Sequence, residues 1–231
     1  MFSRKRRTGL AVACAAVVSM AVPAGSMAAV KVDLRVEGAK KTLFDKEVSA
    51  GPAVLTSNRG ADPGRYPCDV VGNGGTGKRS ATPTSALGQA KLRLGLNWYP
   101  SFTDFLVEAI SGEAPEGSNY WSLFVDGKSS ELGGCQVGLK KGDSVVWAVT
   151  DGSQALLLLK ATGKTSSRTA ILKATNGATG APVAGAQVGR LTTGADGTVE
   201  VPRPSRGSVR LKATADGFIR SNTVRVSARR R

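Results

Sequence analysis

The segment Gly72-Asn-Gly-Gly-Thr-Gly-Lys78 has the opening spacing of a loop that cradles phosphate with backbone N–H groups and a lysine. Arg79 stands where that chemistry needs a hydroxyl for the metal, so the segment is expected to be a flexible glycine-rich connection near Cys68. Histidine does not occur among the 231 residues. The chain therefore has no imidazole for a Ser-His-Asp or Cys-His site and no ring nitrogen for a zinc or haem site. Asp126, Asp143, Asp196 and Asp216 fall in turn-like stretches where Asp serves the neighbouring backbone. Glu108 and Glu113 are five apart, with nothing that brings them to one substrate. No catalytic constellation results. The protein is expected not to be an enzyme and to need neither metal nor cofactor.

Aromatic residues offer a different chemistry. Trp98-Tyr99-Pro100 with Phe102, and Tyr120-Trp121, have the makings of a stacking platform for a flat ligand or a sugar. Trp98, Tyr99, Tyr120 and Trp121 are thus the candidate ligand-binding residues. The competing reading is that Trp121, Phe124 and Trp147 fill a core. Phe124 and Trp147 are expected there, whereas Trp98, Tyr99 and Tyr120 sit beside turns and both readings stand for them. Tyr120 and Trp121 must face opposite sides of a strand, so at most one belongs to any given surface.

The elements that hold these residues begin after an export signal. Arg4-Lys5-Arg6-Arg7 precedes an uncharged, mostly apolar stretch from Gly9 to Val22, and Ser26-Met27-Ala28 places small residues at a cleavage site. Residues 1–28 are expected to be removed after Ala28, with Ala29 the close alternative. The general secretory route fits better than twin-arginine export, because Thr8-Gly9-Leu10 matches that signal loosely. Cys14 leaves with the signal, no membrane span remains, and the product is secreted or associated with the cell envelope. Cys68 and Cys135 then share an oxidising compartment and are expected to pair, closing a 68-residue loop. The rival, a reactive thiol, needs a base or low-pKa setting that a chain without histidine supplies poorly.

Composition divides the remaining chain in two. All three Trp and all three Tyr lie between residues 66 and 147, and beyond residue 160 Phe218 is the sole aromatic. Residues 29–161 hold 15 basic and 14 acidic side chains, whereas residues 170–231 hold 11 and 3. In the first part Val30–Val36 alternates as a half-buried strand, and Thr42–Val48 gives a second in a hairpin. A long Gly- and Pro-rich region from Gly51 to Pro83 offers only Asp69–Val71 as an ordered candidate. Thr84 or Ser85 caps a helix through Leu94 with Gly95 as its stop. Strands return at Phe105–Ile110, Tyr120–Val125 and Ser144–Val149, with Gln154–Lys160 a further buried candidate. Two strands, a helix and more strands is the order of a β-grasp fold. The fold class expected is an α+β β-grasp domain over residues 29–161, followed by an all-β sandwich over residues 170–228. A Ser/Thr-rich linker or wide turn over 162–169 joins them, and a basic tail occupies 229–231.

Both parts carry a resemblance. Thr42-Leu43-Phe44, a helix, Tyr120-Trp121-Ser-Leu-Phe124-Val125-Asp126-Gly127, then Leu139-Lys-Lys-Gly142-Asp143-Ser-Val-Val-Trp147 resembles the transcobalamin C-terminal-like domain over roughly residues 30–150. In cobalamin carriers the similar domain closes over one face of the corrinoid, so the resemblance implies a cobalamin-like ligand. It also implies a second protein domain that supplies the other half of the site, which in the carriers is a large helical domain. Thr179-Gly180-Ala-Pro182-Val183, Asp196-Gly197 and Ala215-Asp216-Gly217-Phe218 resemble carboxypeptidase regulatory-like and bacterial Ig-like β-sandwiches, which are usually spacers or adhesive modules. Val183, Val188, Val199, Val201, Val209, Leu211, Ile219, Val224 and Val226 are spaced to give that part its core.

The basic C-terminal part ends in Arg229-Arg230-Arg231, candidates for holding an anionic cell-wall polymer. Nucleic acid is not an expected partner, given the export signal and the lack of interleaved aromatics for base stacking. Two readings of function stand. One is an exported binding protein that contributes half of a site for a corrinoid or another flat ligand. The other is a structural or adhesive envelope protein without a small-molecule ligand.

Overall fold

The computed structural model describes residues 29–162 and 168–228. The expected export signal, the middle of the expected linker and the arginines 229, 230 and 231 lie outside the described residues. The first part runs β1 (Val30–Glu37), β2 (Thr42–Ala50), β3 (Ala53–Ser57), β4 (Gly64–Cys68), α1 (Pro83–Gln89), β5 (Leu94–Tyr99), β6 (Asp104–Ile110), β7 (Tyr120–Val125), β8 (Lys128–Ser129) and β9 (Ser144–Thr150). The second runs β10 (Ala155–Thr162), β11 (Thr169–Asn176), β12 (Gln187–Val188), β13 (Leu191–Thr192), β14 (Thr198–Pro202), β15 (Ser208–Leu211), β16 (Ala213–Thr214), β17 (Phe218–Ile219) and β18 (Val224–Ser227). The described chain is thus mostly β, with one α-helix.

A five-stranded sheet ordered β2-β1-β9-β7-β8 organises the first part, with β1 and β9 parallel at its centre. The hairpins β3-β4 and β5-β6 form separate two-stranded ladders. Alternation puts Val32, Leu34 and Val36 of β1, Trp121 and Leu123 of β7, and Val145 and Trp147 of β9 on one face. They share a core with Leu87 of α1 and with Trp98 and Phe105. Thr82 starts α1 with a capping box: its hydroxyl accepts from Ser85 N, the Ser85 hydroxyl accepts from Thr82 N, and Pro83 takes the first turn, where no N–H is required. The helix ends before Lys91, whose φ of 56° is incompatible with its continuation, so Leu94 opens a strand rather than closing the helix. The region 51–83 is likewise less irregular than expected. Ala53–Ser57 and Gly64–Cys68 pair around a connection that holds Gly60 and Pro63.

The second part holds a four-stranded sheet β14-β11-β10-β17, a three-stranded sheet β13-β12-β16 and the ladder β15-β18 around a core of its own. Val183, Val188, Val199, Val201 and Val226 are buried in that core, with Val209, Leu211 and Val224 packed against it. The layering is consistent with a β-sandwich. Strand β10 is antiparallel to β11 and parallel to β17, so the run Leu156–Leu159 belongs to this sheet and not to the first.

The two parts meet on the far face of the first sheet. Phe124, Val146 and Ala148 pack there against Leu156 of β10 and Ile219 of β17. Gly127 touches Gly177 backbone to backbone: a Cβ on Gly127 would stand 2.9 Å from the Gly177 carbonyl oxygen. Beside this seam lies a buried ionic group. Glu37, 1% exposed, accepts from Lys212 Nζ, from Arg220 Nε at 3.0 Å and from Arg35 Nη1 at 3.4 Å. Arg35 in turn donates to Arg220 O, and Arg220 to the carbonyls of Gly38 and Ala39. Burial pushes the pKa of both Arg35 and Lys212 down, opposed by the Glu37 carboxylate.

Candidate functional site

The β5-β6 hairpin turns one row of side chains into the core and the other outward. Trp98 points in: it stacks on Tyr66 at 4.3 Å between ring centroids and 2° between planes, and meets Phe105 edge-on at 5.0 Å. At 7% exposure it is core, and Trp121, at 5%, is core as well. Neither belongs to an exposed platform, because the strand pleat that shows Tyr99 and Tyr120 to solvent turns the neighbouring tryptophans inward. Phe124 and Trp147 are buried as expected.

Tyr99 and Phe102 are exposed, at 39% and 69%. The turn Tyr99-Pro100-Ser101-Phe102 is closed by Phe102 N donating to Tyr99 O at 3.1 Å and by Thr103 N donating to Pro100 O at 3.2 Å. It leaves the two rings 6.4 Å apart, tilted across the mouth of a hollow of 370 Å3. Leu106 and Phe105 add to its apolar lining, and Glu131, Gly133 and Gln136 form a further wall. That wall is fixed from below by the Cys68–Cys135 disulfide, whose Cα atoms are 4.7 Å apart, and from the side by Gln136 Nε2, which donates to Phe102 O. Tyr120 is exposed too, but it stands at the start of β7 against Gly152 and does not line the hollow.

Asp104 lies at the base of the hollow, buried, accepting from Phe105 N at 2.6 Å and Cys135 N at 3.1 Å. Loss of hydration outweighs these bonds and pushes its pKa up to about 6. A carboxyl raised in the folded state binds more protons folded than unfolded between its ordinary value and about 6, so stability falls as pH rises through that window. With about 1.4 kcal/mol per unit, the stability difference between wild type and Asp104→Asn is expected to change by about 2 kcal/mol between pH 4 and pH 7. Urea unfolding at the two pH values measures it, and a constant difference contradicts the assignment.

The glycine-rich segment 72–78 has a structural part to play. Asn73, fully buried, accepts from Asp69 N and donates to Pro67 O and Thr103 O, which ties the end of β4 to the Phe102 turn. Arg79 Nε pairs with Asp69 at 3.0 Å. Among the described residues there is no group of three or more Cys, Asp and Glu able to hold a metal ion.

A family model described as a domain of unknown function, DUF4430, matches residues 94–151. That span starts with β5 and ends with β9, and so contains the exposed rings, Asp104 and Cys135. The DUF4430 family is related to transcobalamin-like domains. No curated protein and no solved structure matches the chain. Among the described residues no helix is long and apolar enough to cross a membrane. The Cys68–Cys135 disulfide is compatible with an extracellular protein.

The sequence singled out Tyr99 but not Leu106, Asp104 or Gln136 as neighbours of one hollow. Nothing in the local pattern marks them, since the disulfide and Asn73 bring residues 131–136 and the Phe102 turn together from a distance.

Proposed function

We propose that this is an exported, non-enzymatic binding protein whose first part, a β-grasp unit, holds one face of a corrinoid or another flat ligand against Tyr99, Phe102 and Leu106. The second part, an Ig-like or carboxypeptidase regulatory-like sandwich, presents that unit from the envelope. One observation carries the reading: two exposed aromatic rings over an apolar hollow, on rigid elements stapled by a disulfide. The β2-β1-β9-β7 order with its central parallel pair supports the β-grasp assignment. The relation of DUF4430 to transcobalamin-like domains supports the ligand class.

Calorimetric titration of residues 29–231 with cobinamide and cobalamin tests this. Saturable binding in the micromolar range is expected, weakened at least about ten-fold, or 1.4 kcal/mol, by Tyr99→Ala/Phe102→Ala. Absence of heat up to millimolar corrinoid sinks autonomous binding.

A second reading, attachment to anionic wall polymers without a small ligand, draws on β15 and β18. There Arg210 and Arg225 stand directly opposite each other and exposed, a like-charge pair that favours a polyanion. The tail Arg229–Arg231 adds to the same charge. A chain that takes up no corrinoid but is held by such polymers belongs to this class.

A further inference from the structure

We infer that the outward face of the β5-β6 hairpin carries a second subsite, in which Arg59 and Arg93 bind an oxyanion, the phosphate or carboxylate of the ligand whose apolar part lies on Tyr99 and Phe102. The placement of that apolar part rests on the function proposed above; the arginine pair stands on its own geometry.

Both guanidinium groups lie over glycines. A Cβ on Gly95 would come within 2.6 Å of Arg59 Nε, and one on Gly112 within 2.2 Å of Arg93 Nη2, so each glycine leaves a seat that a side chain would fill. Both backbones are fixed. Arg59 N donates to Leu96 O at 3.0 Å, and Ser111 N donates to Arg93 O at 2.8 Å. The two arginines line one hollow of 750 Å3. Among the described residues neither has a carboxylate at ion-pair distance. Glu108 also lines the hollow, but its Oε1 accepts from Asn97 Nδ2 at 2.9 Å. Two exposed forks against the one carboxylate of Glu108 leave the concavity with a net positive charge, which suits a planar carboxylate or a phosphate that arginine binds through paired N–H bonds.

The non-core face of β5 continues to the aromatic hollow, with Asn97 buried beneath Gly60. Asn97 lies between the two ends, and its Nδ2 also reaches Tyr99 OH at 3.4 Å. From Gly95 to Tyr99 the strand rises about 13 Å, at about 3.3 Å per residue. The ligand implied carries a flat or apolar group at one end and an oxyanion on the order of 13 Å away.

Inorganic phosphate and acetate, each titrated at constant ionic strength against chloride while amide NMR signals are followed, test the subsite. Saturable shifts of Gly60, Gly95 and Gly112 at millimolar phosphate or acetate are expected. Arg59→Gln and Arg93→Gln should each weaken binding at least about five-fold, with the rest of the spectrum reporting an intact fold. These titrations contain no flat ligand, so failure of the aromatic site and failure of the arginine pair are read separately. The stronger of the two anions names the ligand's charged group. Shifts that do not saturate, that chloride reproduces, or that survive both arginine substitutions overturn the subsite.

Discussion

Glutamine in place of Glu37 is expected to cost about 3–5 kcal/mol of stability, the scale for removing one partner of a buried charge cluster. The Glu37 carboxylate is shared by Arg35, Lys212 and Arg220, and Thr42 Oγ1 donates to it at 2.9 Å. A neutral amide leaves Arg35, itself buried, and two partly buried cations facing one another without it. Because Lys212 and Arg220 come from the second part and Glu37 and Arg35 from the first, the loss falls on the seam between them. Glu47→Gln provides the control. Its partner is Lys31 at 2.8 Å, and both side chains are more than half exposed, so no measurable change is expected. Denaturant unfolding at pH 7 compares the two, and equal effects would contradict the role given to Glu37.

The second large effect concerns the disulfide. Cys68→Ala/Cys135→Ala releases a cross-link over a 68-residue loop, for which chain entropy gives about 4 kcal/mol. The loss is expected to be uneven. Val70 N donates to Cys135 O, Cys135 N to Asp104, and Gln136 Nε2 to Phe102 O, so the wall of the aromatic hollow depends on this one link. Hydrogen exchange should therefore show lost protection at Val70, Cys135 and Gln136 before the β1-β9 core. Unfolding free energies within about 1 kcal/mol of each other for the two proteins would contradict that dependence.

The parts of this molecule legible in its sequence are those where one face is buried and a turn has no alternative. Lys31 to Leu34 in β1 shows the expected alternation, and Asp126-Gly127 takes the positive φ of both central residues in a tight turn. The failures have physical causes as particular. Leu156 to Leu159 shows no alternation because both of its faces are buried, Leu156 against the first sheet and Leu157 and Leu159 in the second core. Leu94 continues the apolar spacing of α1, yet Lys91 breaks the helix by its backbone conformation alone. Trp98 lies beside Tyr99 in sequence and on the opposite face in space, so a platform drawn from adjacent aromatics divides between core and surface. The arginine pair is invisible in the sequence for another reason. Arg59 and Arg93 come to one hollow only through hairpin pairings and through glycines whose value lies in the side chain they lack.

The proposed binding function places a flat ligand on the outward face of the β5-β6 hairpin. Amide NMR spectra of nitrogen-labelled residues 29–231, recorded with increasing cobinamide, locate the contact directly. Saturable shifts confined to the Asn97–Leu106 turn and to residues 131–136 are the result expected. An unchanged spectrum at millimolar cobinamide, or shifts gathered on the second part, would contradict it.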